Sequence, residues 1–166
     1  MAKNTFLNLL FYICAIILKM AKKRDNICLV PFEVEAGREV DLSCLDDIRR
    51  MRKFSIPGFE GDNLFAFSVK GSSMEPIIRA GSLVICEKTS IFNPLIDNQI
   101  YVIMSKRGLV LKYVLRKFNK SGMLVKLKLK SENLAYPPFE IDINEGEDYH
   151  LFRYRGQVNN FGCSKI

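Results

Sequence analysis

Two short stretches hold residues that could do covalent chemistry. Val69 to Pro76 reads VKGSSMEP and follows an alternating apolar run, LFAFSV, at 64–69. A plain strand end needs one turn residue, whereas this one adds a glycine, two serines, a methionine and Pro76. Two readings fit the octapeptide. It is a Ser-rich turn, or it is a turn that holds a serine hydroxyl at the rim of a sheet, where it can react. The second stretch, LVLKYVLR at 109–116, is apolar on both faces except for Lys112 at its centre and Arg116 at its end. Period-two alternation puts Val110, Lys112 and Val114 on one face and Leu109, Leu111, Tyr113 and Leu115 on the other.

If the first of those faces is buried, desolvation disfavours the ammonium form and lowers the lysine pKa. Neutrality near pH 7 requires a fall of about three units, at a cost of about 4 kcal/mol. Folding tolerates that cost most readily where a neutral amine is wanted, as in a general base for a serine hydroxyl. The alternative is a lysine snorkelling from an edge strand. His150 is the only histidine, so a nucleophile here is expected to use a different base. The five cysteines, at 14, 28, 44, 86 and 163, are odd in number, scattered and without a C-x-x-C pair. That pattern argues against a disulfide framework and a zinc site and fits a reducing compartment. No metal or cofactor is expected.

The elements that must position these residues read as mostly strand. ICLVPF at 27–32 looks like a strand ended by Pro31, and VDLSCLDDIRRMR at 40–52 has apolar residues at helical spacing. Seven short strands follow: LFAFSV, SLVICEK, QIYVIMS, LVLKYVLRKF, MLVKLKL, PFEIDI and YHLFRYRGQV. Turn signals separate them, and KRG and NKSG look like tight hairpin loops. This spacing predicts a mainly β domain of coiled or barrel-like sheet. In VKLKLK, Lys126, Lys128 and Lys130 share one face, read as a solvated face on a half-buried strand rather than a phosphate-binding stripe.

The 166 residues have room for one domain and a short extension. The expected organisation is an apolar-basic segment at 1–26, a β domain at 27–160 and a tail at 161–166. The net charge is +7, of which residues 1–30 supply +4, so the body is only mildly basic. Residues 6–18, FLNLLFYICAIIL, form an apolar run that as a helix spans about 20 Å, against about 30 Å of hydrocarbon. A short N-terminal apolar helix in peripheral membrane contact is one expectation, and a remnant of a longer upstream region is another. Lys19, Lys22, Lys23 and Arg24 behind the run would keep the body cytoplasmic if it inserted.

Taken together, GSSMEP, the turn at Gly81 leading into SLVICEK, Lys112, LKSENLAYPP at 129–138 and RGQV at 155–158 carry a resemblance. The chain resembles the LexA-like and UmuD-like self-cleaving serine peptidases over roughly residues 28–158, a group that includes the C-terminal domains of many phage repressors. The resemblance implies a LexA-like coiled β fold and a Ser-Lys dyad. Ser73, directly before Met74, would be the nucleophile and Lys112 the general base. The main-chain amides of Ser72 and Ser73 would form the oxyanion hole. Two departures stand out. Gly81-Ser82 replaces the usual Gly-Asp, and the residues before the domain are too few for the repressors' helix-turn-helix, so direct sequence-specific DNA binding is not expected.

The family's substrate is often its own chain, cut at Ala-Gly or Cys-Gly before the serine. Here Ala36-Gly37 in VEAGREV lies upstream of Ser73, and a flexible tether of that length reaches roughly 30–35 Å. The pair is also readable as a plain turn between strand and helix. The leading expectation is a peptidase that cuts its own N-terminal segment in cis, pairs as a homodimer and serves prophage or SOS-type regulation. The alternatives are a catalytically weak dimerisation module of a repressor lacking its DNA-binding half, and a membrane-tethered signal-peptidase-like protease.

Overall fold

The computed structural model describes residues 25–34, 51–90, 95–106, 108–143 and 149–159. Its strands, in chain order, are β1 Ile27–Val34, β2 Lys53–Phe54, β3 Leu64–Val69, β4 Leu83–Thr89, β5 Gln99–Ser105, β6 Gly108–Phe118, β7 Leu124–Lys130, β8 Phe139–Asp142 and β9 His150–Val158. They form one mixed sheet in the order β2-β1-β3-β4-β9-β5-β6-β7-β8. β1 runs parallel to β3, and the other neighbours pair antiparallel. The sheet is open at β2 and β8, yet it curls enough for β1 to approach β6. The mainly β expectation therefore holds, as a coiled open sheet rather than a closed barrel.

None of the described residues is helical, and no helix among them is long and apolar enough to cross a membrane. The helices expected at 6–18 and 40–52 fall outside the described residues, apart from Met51 and Arg52. Ala36 and Gly37 fall outside them as well.

β1 continues past Pro31, where the sequence pattern ended it. Its register against β3 slips between Leu29, opposite Ala66, and Glu33, opposite Ser68. Pro31 has no N–H to give a ladder, and an irregularity is where a strand accommodates it. β2 is two residues long and has no period to read.

Burial on both faces explains the near-continuous apolar text of the central strands. Phe65 and Phe67 of β3 join Val84, Met104 and Phe152 in one cluster, while Leu64 and Ala66 join Ile27 and Ile85 in another. Phe152 meets the Phe65 and Phe67 rings edge-on, with centroids 5.1 and 4.9 Å away. A third cluster holds Tyr101, Ile103, Val114, Leu127, Leu129 and Leu151. On β7, Leu127 and Leu129 are buried, and the intervening lysines face outward. Lys126 pairs with Asp142 at 3.2 Å and Lys117 with Glu140, both carboxylates on β8, as a solvated face would have it.

Packing at β9 yields a first prediction. A Cβ added at Gly156 would lie 2.7 Å from Cζ and 3.0 Å from Cε1 of Phe59, a ring packed against the cluster around Ile27. Gly156→Ala must therefore push that ring out of place, at about 1–2 kcal/mol. A fall of about 3–8 °C in melting temperature is expected. An unchanged melting temperature would contradict the packing of Phe59 over this glycine.

Candidate active site

The VKGSSMEP turn is built by a closed neck and two buried anchors. Where β3 ends, Val69 N–H donates to Ser82 O at 2.9 Å and Gly81 N–H donates to Val69 O at 2.7 Å. This seals residues 70–81 into a loop, and Gly81 turns it back at φ +82°, a conformation open to glycine. Inside the loop, Glu75 N–H donates to Ser72 O at 3.1 Å and Ile78 N–H to Met74 O at 2.8 Å. Met74 and Ile78, 1% and 0% exposed, plug into the same core cluster as Phe65 and Phe67. The methionine after the serine thus has a mechanical reason. With Met74 held down, Ser73 is fixed at the rim of the sheet. The Gly81-Ser82 departure does not prevent the turn, because Ser82 is buried and its hydroxyl donates to Asn159 Oδ1 at 3.0 Å.

Lys112 comes from the middle of β6, opposite Tyr101 of β5, and only 6% of it is exposed. Its Nζ lies 2.5 Å from Ser73 Oγ. Burial lowers its pKa from the ordinary 10.5 to about 8. The Tyr136 ring faces Nζ at 5.7 Å from its centroid and favours the ammonium form, but desolvation dominates. On the same face Val114 is fully buried and Val110 half-buried, so the condition under which Lys112 would be desolvated is met. Lys112 is therefore not a snorkelling edge residue, since β6 is flanked by β5 and β7.

The two serines of the turn have separate partners. Ser73 faces Lys112, whereas the Ser72 hydroxyl shares a hydrogen bond of 2.9 Å with the Tyr136 hydroxyl. His150 opens β9 opposite Met104. Among the described residues no group of His, Cys, Asp and Glu could hold a metal ion. With these groups, the site can do acyl-transfer chemistry: a hydroxyl beside an amine whose neutral form is accessible near pH 8.

Two residues of the site had no role assigned from sequence, although both lie in SENLAYPP. Asn133 donates from its backbone N–H to Ser73 O at 3.0 Å and from Nδ2 to Ser72 O at 3.3 Å. Tyr136 meets Ser72 and Lys112 as described. The available signal was an Asn inside a turn-rich segment directly after a strand, which marks hydrogen bonding without naming the partner.

A family model described as Peptidase S24-like matches residues 30–155, nearly the span over which the motifs carry their resemblance. No curated protein matches the chain.

Proposed function

We propose, proceeding from the fact that this chain belongs to the Peptidase S24-like family of serine peptidases, that it cleaves its own backbone between Ala36 and Gly37 with a Ser73–Lys112 dyad. The observation that carries this reading is the 2.5 Å approach of a buried lysine amine to Ser73 Oγ. Neutral Lys112 takes the proton of Ser73 as Oγ attacks the Ala36 carbonyl carbon. The charged oxygen of the tetrahedral intermediate is met by the N–H groups of Ser72 and Ser73. The Lys112 ammonium returns its proton to the departing Gly37 nitrogen, and water then hydrolyses the ester that joins Ala36 to Ser73.

Delivery of the bond is supported by the register of β1. Val34 is opposite Val69 in a parallel pair, so both chains leave the same end of the sheet. Ala36 follows two residues after Val34, within about 7 Å, and Ser73 follows four residues after Val69, within about 14 Å. On this reading the bond needs only a few residues beyond a paired strand to reach the site. A substrate delivered from the same chain reacts as an intramolecular partner, which offsets much of the entropic cost of bringing a weak catalyst and its bond together.

Two further parts of the proposal, a homodimer and a cut that serves prophage or SOS-type regulation, rest on the resemblance alone. A body kept on the cytoplasmic side, with peripheral contact through residues 6–18, rests on the shortness of that apolar run and on Lys19, Lys22, Lys23 and Arg24 behind it.

The pH profile tests the dyad. With the Lys112 pKa at about 8, its neutral fraction rises about tenfold from pH 7 to pH 9. The first-order rate of self-cleavage is expected to rise by that factor, with a midpoint near 8, and then level off. His150→Ala should leave rate and profile unchanged. A profile still climbing at pH 10.5 would contradict the lowering of the Lys112 pKa by burial, and one that collapses in His150→Ala would contradict Lys112 as the base.

A further inference from the structure

We infer that Asn133 is a positioning residue that aims the oxyanion-binding N–H of Ser73, an inference that rests on the proposed acyl transfer. A trans peptide is planar, with its C=O and N–H pointing in opposite directions. Whatever holds the Ser72 carbonyl therefore sets the direction of the Ser73 N–H. Asn133 Nδ2 holds that carbonyl at 3.3 Å, together with Glu75 N–H at 3.1 Å. The backbone N–H of Asn133 holds the next carbonyl, that of Ser73, at 3.0 Å. Two consecutive peptide planes of the nucleophile turn are thus gripped by one residue. Among the described residues no backbone acceptor takes the Ser73 N–H.

Asparagine suits this position because one side chain supplies both a donor and an acceptor. While Nδ2 reaches the nucleophile turn, Oδ1 accepts Ala135 N–H at 3.0 Å, and Asn133 O accepts Tyr136 N–H at 3.1 Å. The segment is therefore braced by its own turn before it grips the next one. Tyr136 ties the same two segments together again through the Ser72 hydroxyl. Aspartate would keep the size and the Oδ1 brace while losing the Nδ2 donor. Leucine would keep the size and lose both.

Removing one oxyanion donor outright costs about 10²–10³ in rate, and misdirecting it costs part of that. The test measures self-cleavage of the full chain from pH 6 to pH 11 for wild type, Asn133→Asp and Asn133→Leu, separating plateau rate from midpoint. Both variants are expected to lower the plateau by about tenfold or more. Asn133→Leu should keep its midpoint near 8, because Lys112 stays buried. Asn133→Asp adds a negative charge that moves the midpoint upward, so its plateau, not its rate at one pH, is the deciding quantity. Its melting temperature should stay close to that of wild type, since every brace within the turn is retained. If Asn133→Asp reaches the wild-type plateau, the Nδ2 grip has no catalytic role and the inference fails, whatever Asn133→Leu does. If the Asn133→Leu midpoint moves toward 10.5, the residue acts by keeping water from Lys112, and the inference fails in that way. A wild-type chain inert at every pH would sink the proposed self-cleavage and this inference together. An active wild type with an equally active Asn133→Asp would sink this inference alone.

Discussion

Ser73→Ala is expected to reduce self-cleavage to the uncatalysed background, and Lys112→Ala to lower it by about 10²–10⁴, the range a positioned general base contributes. Ser73 Oγ and Lys112 Nζ stand 2.5 Å apart. The Ser72 hydroxyl is engaged by Tyr136 and is held by a separate contact, so Ser72→Ala should only slow the reaction. Lys112→Arg makes the sharper test, because a guanidinium keeps the charge and much of the bulk but does not deprotonate in the accessible pH range. It should be as inactive as Lys112→Ala, and raising the pH should not restore it. All these variants should retain the fold, since the sheet is held by the apolar clusters on either side of β3 and β6. A Lys112→Arg protein that cleaves at the wild-type rate would remove proton transfer through Lys112 from the mechanism.

Blocking the bond itself should have an effect of similar size. Attack by Ser73 needs a small residue on the acyl side, so that the carbonyl can approach the hydroxyl closely. It needs a backbone that can kink on the leaving side, which glycine supplies at the least steric cost. Ala36→Asp and Gly37→Glu add bulk and a carboxylate at those two places. Each is expected to slow cleavage by about 10²-fold or more, as misplacement of a reacting group by about 1 Å does. The dyad residues remain untouched in both variants, so their melting temperature should match that of wild type. Terminal sequencing of the products separates the possibilities. Cleavage of Gly37→Glu at the wild-type rate, or a new terminus elsewhere in the wild type, would move the bond away from Ala36-Gly37.

Which two side chains to look at was legible in the sequence, although each local pattern alone left a plain structural reading open and only the resemblance joined Ser73 to Lys112. Alternation put Lys112 on one face with Val110 and Val114 but left open whether that face is buried or the lysine snorkels from an edge strand, and Lys112 is buried. Gly, Ser and Pro after a strand marked a turn, and buried Met74 anchors it. What stayed illegible depends on pairing between distant segments. That Val34 lies opposite Val69 in a parallel register is invisible to period-two reading, and the slip around Pro31 hid it further. β2 was too short to carry a pattern. The grip of Asn133 on Ser72 and Ser73 spans 61 positions for its side-chain bond, and no spacing rule connects a turn asparagine to carbonyls that far away. The sheet's failure to close was equally hidden, because strand count and spacing are alike in a curled open sheet and a barrel.

The most direct measurement is the intact mass of the purified full chain followed over time at pH 7 and pH 9, at two protein concentrations, beside Ser73→Ala. The expected result is two fragments, residues 1–36 and 37–166, forming about ten times faster at pH 9. The rate constant should be the same at both concentrations, and Ser73→Ala should stay whole. A chain that stays whole at pH 9 with Ser73 and Lys112 intact, or fragments that appear equally in Ser73→Ala, would contradict self-cleavage by this dyad.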